Sequence, residues 1–307
     1  MRTTKKYIVM IIVLIVLIVG GIVAYTFMNK TDIAPADEVA INNVPSGETV
    51  EQQEPKQSEK ALELQNVLEE EIKNYDGEWA VYVEDLKTGD TTIINNKKMV
   101  SASLIKLFIM AKTYEEIENG NISKEEVSSM LQSMITVSDN EASNILVARL
   151  GGGKYSDMND AYFQNGLKII NSYLVNNGYS DSEQQRDMKN SRPNPIPEQN
   201  YTSVLDCGVL LSKIYRKELV SEVCDDEMLS LLKKQTRTSK IPAGLPAGTI
   251  CANKTGELSD VENDVAIVFS PKTDYIICVM SNDVSYSVEA KENISHISEI
   301  VYNHFND

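Results

Sequence analysis

Histidine is almost missing from this chain: His296 and His304 are the only two in 307 residues. Both fall in the last helical-looking segment, two turns apart, which suits one outward helix face better than a catalytic triad. The four cysteines, Cys207, Cys224, Cys251 and Cys278, include no C-x-x-C pair. With so few histidines they offer no zinc framework, and no metal or other cofactor is expected. Two readings of the cysteines stay open: disulfides in one of three pairings if the surroundings are oxidising, or isolated buried thiols if they are reducing. Basic residues are short as well, 29 Lys and Arg against 45 Asp and Glu, for a formal charge of −16. No Lys/Arg-rich run compensates, so nucleic acid is excluded as a partner, because phosphate binding needs a cationic surplus on one face. The acidity fits a well-solvated exported surface and by itself names no partner. No internal repeat is present.

Charge vanishes altogether from Tyr7 to Met28, "YIVMIIVLIVLIVGGIVAYTFM", 22 residues. As a helix these would extend roughly 33 Å, enough to cross a bilayer core. The run is too long for a typical signal-peptide core and too uniformly apolar for a helix of a soluble core, and no cysteine follows nearby that could carry a lipid. It reads as an uncleaved single-pass anchor. Arg2, Lys5 and Lys6 precede it, so the positive-inside bias keeps residues 1–6 in the cytoplasm and places everything after Lys30 outside. Residues 29–58 are polar and acidic, hold three prolines and lack periodicity, and read as a tether. The folded part is then 59–307.

Within it, "SEKALELQNVLEEEI" has a serine at a cap position and Ala61, Leu62, Leu64, Val67, Leu68 and Ile72 at helical spacing, which predicts an amphipathic helix. "WAVYVEDLKTGDTTIINN" predicts a hairpin around "LKTGD". A helix from Ser103 to Glu118 stops at Asn119-Gly120, and the middle of the chain is helical in period. Strands resume with "GTICANKTG", "NDVAIVFSP" and "DYIICVMSND", and a last helix follows. The order predicts an α+β fold in which one antiparallel sheet, built from both ends of the chain, stands beside an all-helical lobe, with a cleft between them. "GGGKYS" at Gly151–Ser156 lacks the Gly-Lys-Ser/Thr ending of a phosphate loop and reads as a turn. "CDDEM" reads as a solvated, acidic helix start.

The chemistry-bearing stretch is "SASLIKLFIMAKTYEEI". Ser103 and Lys106 lie one helical turn apart on one face, so the amine can reach the hydroxyl. A serine is a weak nucleophile until a base takes its proton, and a lysine desolvated in a closed cleft can do so. The helix N-terminus adds backbone N–H groups for a developing oxyanion. Ser-x-x-Lys alone is a weak motif. Two others follow in order: "SDN" at Ser138, Asp139 and Asn140 in the helical block, and "KTG" at Lys254, Thr255 and Gly256 on a strand. An earlier Lys-Thr-Gly, Lys87 to Gly89, sits in the hairpin turn and is expected to be solvated.

Ser-x-x-Lys, Ser-Asp-Asn and Lys-Thr-Gly in this order and context form the signature of the serine β-lactamases and penicillin-binding proteins. From about Ala61 to its end the chain resembles that superfamily. "VSDNEASNIL" and "KIPAGLPAGTICANKTGEL" are similar to the corresponding segments of the class A enzymes. The resemblance implies a five-stranded sheet flanked by helices, Ser103 as acylated nucleophile and Lys106 as its proton acceptor or relay. It implies that Ser138 passes a proton to the leaving nitrogen, Asn140 holds the substrate's side-chain amide, and Lys254 with Thr255 holds its carboxylate. The second oxyanion N–H would come from the backbone of Glu257. Asp139 is expected to be structural, and at Gly256 any side chain would crowd a substrate on the strand edge.

One departure stands out. In class A enzymes the glutamate of an Arg-x-Glu-x-x-x-Asn loop activates the deacylating water; here the matching run is "SEQQRDMKNSRP", where Arg186 fits and Met188 stands at the glutamate. Glu183, Asp187 and Glu198 are nearby carboxylates without the pattern. Acylation without efficient deacylation is the expectation. The substrate is a small β-lactam or a D-Ala-D-Ala-type peptidoglycan peptide; a non-turnover sensor of either is the alternative outside enzymology, disfavoured by a cytoplasmic tail too short for an output domain.

Overall fold

The computed structural model describes residues 58–154, 160–189 and 198–307. The expected cytoplasmic tail, apolar anchor and nearly all of the tether lie outside the described residues. No helix among the described residues is long and apolar enough to cross a membrane.

The first element, α1 (Glu59–Ile72), begins where Ser58 Oγ accepts the Ala61 N–H at 3.2 Å. Ala61, Leu64, Leu68 and Ile72 form its buried stripe. Leu62 and Val67, which the spacing places with them, are about half exposed and only flank it. A four-residue stripe suffices because this helix covers one face of a sheet with its other side exposed.

The sheet has five strands: β1 (Glu78–Asp85), β2 (Thr91–Ile94), β5 (Ile250–Leu258), β6 (Val261–Phe269) and β7 (Tyr275–Asn282). Their order is β2-β1-β7-β6-β5, every pair antiparallel. The N-terminal hairpin and the three C-terminal strands thus join through β1 and β7, as the alternation of elements along the chain implies. The join is apolar on both faces. In β7, Ile276, Cys278 and Met280 enter the core shared with the helical lobe, while Tyr275, Ile277 and Val279 enter a second core under α1 and the last helix, α8 (Ser287–Asn306). Each such side chain contributes about 1.5–3 kcal/mol by leaving water. That is why β7 reads as an unbroken apolar run rather than an alternating one.

The helical lobe is built on α2 (Lys106–Glu118), entered through a 3-10 turn, Ala102–Ile105. Leu107 through Ala111 are all fully buried, so the first half of α2 is enclosed on every side, while Lys112 and Glu115 to Glu118 reach the surface. Around it stand α3 (Lys124–Thr136), α4 (Asn140–Leu150), α5 (Asp160–Asn176), α6 (Val204–Arg216) and α7 (Glu222–Leu232). A two-stranded ribbon, β3 (Met99–Val100) with β4 (Tyr201–Thr202), ties the chain just before Ser103 to the return from the central loop.

Two sequence features resolve differently from their first reading. Gly151 closes α4 and Gly152, at φ +97°, makes the turn, but Gly151 is also a packing residue: a Cβ there would lie 1.8 Å from the Tyr162 carbonyl oxygen. Tyr155 and Ser156 of that run lie outside the described residues. In "CDDEM", Cys224 and Asp225 are buried rather than solvated, and Asp225 accepts the N–H groups of Leu219 and Val220 at 3.0 and 3.2 Å. The carboxylate serves the chain entering α7, where main-chain donors would otherwise be unpaired. All four cysteines are free thiols.

Gly151 has a counterpart in α5, where a Cβ at Gly166 would lie 1.9 Å from the Val147 carbonyl oxygen. The backbones of α4 and α5 therefore touch. Gly166→Ala is expected to force them apart at a cost of about 3 kcal/mol or more. Urea denaturation would read this as a lower midpoint with an unchanged slope.

Candidate active site

Two backbone positions that side chains rarely adopt frame the site: Ala102 at φ +45° and Ser138 at φ +61°. Each directs the chain into a polar residue of the motif set, and such strain persists only where the surroundings hold it. For Ala102 the hold is visible. Ser101 N–H donates to the Asn200 carbonyl at 2.8 Å, and Asn263 Nδ2 donates to the carbonyls of Val100 and Ser101 at 3.0 and 3.3 Å. The turn carrying Ser103 is thus clamped from the ribbon and from β6.

Lys106 opens α2 and is fully buried. Its Nζ donates to the Ser138 carbonyl and to Asn140 Oδ1, both at 2.7 Å, and lies 3.2 Å from Ser138 Oγ. Lys254, on β5 and equally buried, donates to the same Ser138 Oγ at 2.9 Å and to the Thr255 carbonyl at 2.8 Å. One hydroxyl therefore stands between two amines. Burial drives the Lys106 pKa from the usual 10.5 down to about 7; the Arg237 charge adds to this and Asp139 opposes it. Lys254 is likewise lowered well below its ordinary value, by burial first and then by Lys106. A neutral Lys106 still satisfies its two 2.7 Å acceptors with two N–H bonds and keeps a lone pair for a proton.

Ser103 is part-exposed and lines a cavity together with Asn140, Arg186, Met188, Asn200 and Glu257, among others. The predicted residues thus divide: Ser103, Asn140 and Glu257 face the cavity, whereas Lys106, Ser138 and Lys254 meet in a cluster joined to it through Asn140. Thr255 is buried, 2% exposed. Gly256 has a tighter constraint than crowding of a substrate. A Cβ there would lie 2.6 Å from the Ser101 carbonyl oxygen and 3.2 Å from the Ser103 nitrogen, so β5 and the Ser103 turn approach too closely for any side chain. Asp139 caps α4, its Oδ1 accepting the Ala142 N–H at 2.7 Å. Lys87 of the earlier Lys-Thr-Gly is exposed in the β1–β2 turn, and neither His296 nor His304 lines the cavity.

Met188 does reach the cavity. Its N–H donates to Asn144 Oδ1 at 2.9 Å, and its sulfur lies 3.7 Å from Asn200 Nδ2. Residues 190–197 lie outside the described residues. None of the other carboxylates near it in sequence lines the cavity: Glu183 pairs with Lys98 at 2.6 Å, Asp187 is buried, and Glu198 is exposed. The carboxylate that does line it belongs to Glu257, ion-paired with Arg237 at 2.8 Å and with Lys240 at 3.2 Å. Burial raises its pKa, but Lys240 and Arg237 outweigh this and hold it below the usual value. Asn144, Arg237 and Lys240 are absent from the sequence reading. Asn144 had a signal, its i+4 spacing from Asn140 on the same face of α4; the other two had none, since they come to the site only through the strand pairing.

A serine hydroxyl at a strained turn, a buried amine of lowered pKa within one helical turn of it, and a second amine on the same neighbouring hydroxyl put the groups of serine nucleophile chemistry together without histidine. The model of the beta-lactamase enzyme family matches residues 61–130 and 123–305, and the chain belongs to that family. Beta-lactamase BRO-1 of Moraxella catarrhalis is 26% identical over 179 residues, 58% of this chain. The chain spans about half, 51%, of that relative's length. Among solved structures, TLA-1 extended-spectrum beta-lactamase matches with a TM-score of 0.71 at 19% identity, covering 81% of this chain and 100% of that one. PBP-A matches at 0.66 and 21% identity, covering 80% and 96%; a mutant of it solved as an acyl-enzyme complex with penicillin G matches equally. At these identities the likeness is one of fold.

The Lys106 amine is expected to titrate near pH 7. Replacing Asp139 by Asn removes the charge that opposes the depression, so the midpoint should move lower still. NMR of lysine Cε carbons followed from pH 5 to 10 reads both; a midpoint near the ordinary 10.5 would contradict the burial argument.

Proposed function

We propose that this protein is a serine acyl-transfer enzyme acylated on Ser103 by β-lactams, that it hydrolyses the resulting ester slowly, and that Tyr7–Met28 anchors it with the catalytic domain outside the cell membrane. The observation that carries the reading is that Met188 lines the cavity with Ser103, while the acidic residue there, Glu257, is ion-paired with Arg237 and Lys240. Neutral Lys106 accepts the Ser103 proton as Oγ bonds to the lactam carbonyl carbon; the N–H groups of Ser103 and Glu257 receive the oxyanion. The carbonyl–nitrogen bond then breaks, and Ser138, between the two amines, delivers a proton to the nitrogen. Asn140 takes the substrate's side-chain amide, Lys254 and Thr255 its carboxylate. Hydrolysis of the ester needs a water stripped of a proton, and a thioether cannot take one.

The same observation favours a second substrate class. A D-Ala-D-Ala-type wall peptide places an equivalent carbonyl over Ser103, and an acyl-enzyme that outlives water attack suits transfer or slow peptide hydrolysis. The penicillin G acyl-enzyme of a PBP-A mutant, a protein of like fold, is in keeping with a centre of this kind accepting a β-lactam.

A fluorescent penicillin should label the protein and fail to label Ser103→Ala; full labelling of that variant would overturn the assignment. Nitrocefin should give a burst followed by near-stall. Met188→Glu should raise the steady rate by about 100-fold, the lower end of what a positioned base supplies, and an unchanged rate would remove position 188 from deacylation. Because the base must be neutral, acylation should rise with pH through about 7, roughly tenfold between pH 6 and 8. Lys106→Met should abolish it.

A further inference from the structure

The register of β5 and β6 places Glu257 directly opposite Glu262, and Gly256 opposite Asn263. Like charges facing each other across an antiparallel pair destabilise it, and Glu262 is only 1% exposed. One cation resolves this. Lys240, fully buried just before the 3-10 turn Ile241–Gly244, puts its Nζ 2.5 Å from Glu262 Oε2 and 3.2 Å from Glu257 Oε1, and donates to the carbonyls of Asn263 at 3.0 Å and Gly256 at 3.4 Å. A single ammonium touches all four residues of two cross-strand pairs.

Its own position is fixed from outside the cleft. Ile241 N–H donates to Asp264 Oδ2 at 3.1 Å, and Ser298 Oγ of α8 donates to the Ile241 carbonyl at 2.8 Å. Glu262 is held from α8 too, by Ser287 Oγ at 2.5 Å and Lys291 at 3.4 Å. The ammonium therefore hangs between supports that do not belong to the active site.

We infer that Lys240 is a positioning residue for the oxyanion-binding peptide between Gly256 and Glu257. A trans peptide points its C=O and N–H to opposite sides. Drawing the Gly256 carbonyl toward Lys240 and β6 turns the Glu257 N–H toward the cleft, where Gly256 already lies against the Ser103 nitrogen. The ion pair to the Glu257 side chain blocks rotation about the same peptide from its other end. Lys240 touches no substrate and acts only through the peptide between Gly256 and Glu257.

This inference rests on Ser103 being acylated through an oxyanion, and the test separates the two. The wild-type protein is acylated with a penicillin carrying 13C at the lactam carbonyl, and the ester stretch is recorded by infrared difference spectroscopy alongside the acylation rate and the noncovalent dissociation constant. No ester band in the wild type overturns the proposed function itself. With that band present, Lys240→Met should move it to higher frequency, because the ester oxygen loses a hydrogen bond, and slow acylation by about 10–100-fold with little change in the dissociation constant. A lysine needed only for stability would lower Tm and leave the band in place, which would overturn the inference. The double variant Lys240→Met/Glu262→Gln removes the buried unpaired charge. Its band should stay shifted; return to the wild-type frequency and rate would reduce Lys240 to a counter-ion and equally overturn it. Lys240→Arg, which keeps a cationic donor, should restore most of the rate.

Discussion

Two lysine side chains closed off from water beside a single serine hydroxyl are the constraint around which the rest of this molecule is arranged. Lys106 and Lys254 are both fully buried and both within hydrogen-bonding distance of Ser138 Oγ. Two ammonium ions in such a space repel, and desolvation disfavours each. The outcome is a cluster that gives up a proton near neutrality, which is what a serine needs from its partner. Every neighbouring element keeps that space dry. The enclosed helix α2 seals one side, the edge strand β5 another, and the start of α4 supplies the two short acceptors that keep the Lys106 amine in place.

Dryness of this kind needs a rigid shell. The sheet supplies it by being apolar on both faces, so that β7 cannot shift without opening two cores at once. The lobe supplies it through backbone contact between α4 and α5 at Gly151 and Gly166. The strained turns at Ala102 and Ser138 are sustained by this shell. Asn263 grips the carbonyls ahead of Ser103, while Asp139 caps the helix that begins immediately after Ser138. The supporting hydrogen bonds thus converge on the residues that flank the reactive groups.

The two halves of an acyl-transfer cycle are unequally provided for. On the proposed function, proton removal from Ser103 and proton delivery to a leaving nitrogen would fall to a desolvated amine and to the Ser138 hydroxyl between the two amines. Water attacking there would meet a thioether and the amide side chains of Asn140, Gln199 and Asn200, and the carboxylate of the lining residue Glu257 is engaged by Arg237 and Lys240. A carboxylate paired with two cations is a poor base. On the proposed function, this cleft would form an ester more readily than release it.

Much of this was legible in the chain itself. The helix and strand periods, the cap at Ser58 and the order of the segments determined an antiparallel sheet made from both ends, because local patterning and short connections leave few other topologies. The three motifs picked out residues that the fold does bring to one place, Ser103 and Asn140 at the cavity and Lys106 and Lys254 about Ser138, and turn composition set Met188 beside them. Other features were decided only by the fold. Leu62 and Val67 fell to the rim of their stripe because the width of the covered sheet, not helical spacing, sets how much of α1 is buried. Asp225 was drawn inside by the main-chain N–H groups of Leu219 and Val220, which the fold turns back onto the start of α7. Gly256 is compelled by the Ser103 turn, 153 positions earlier in the chain. Lys240 reaches two glutamates through a register that exists only after β5 pairs with β6. Sequence specifies side chains and local period; distances between remote side chains, and hence desolvation and pKa, arise only when packing brings them together.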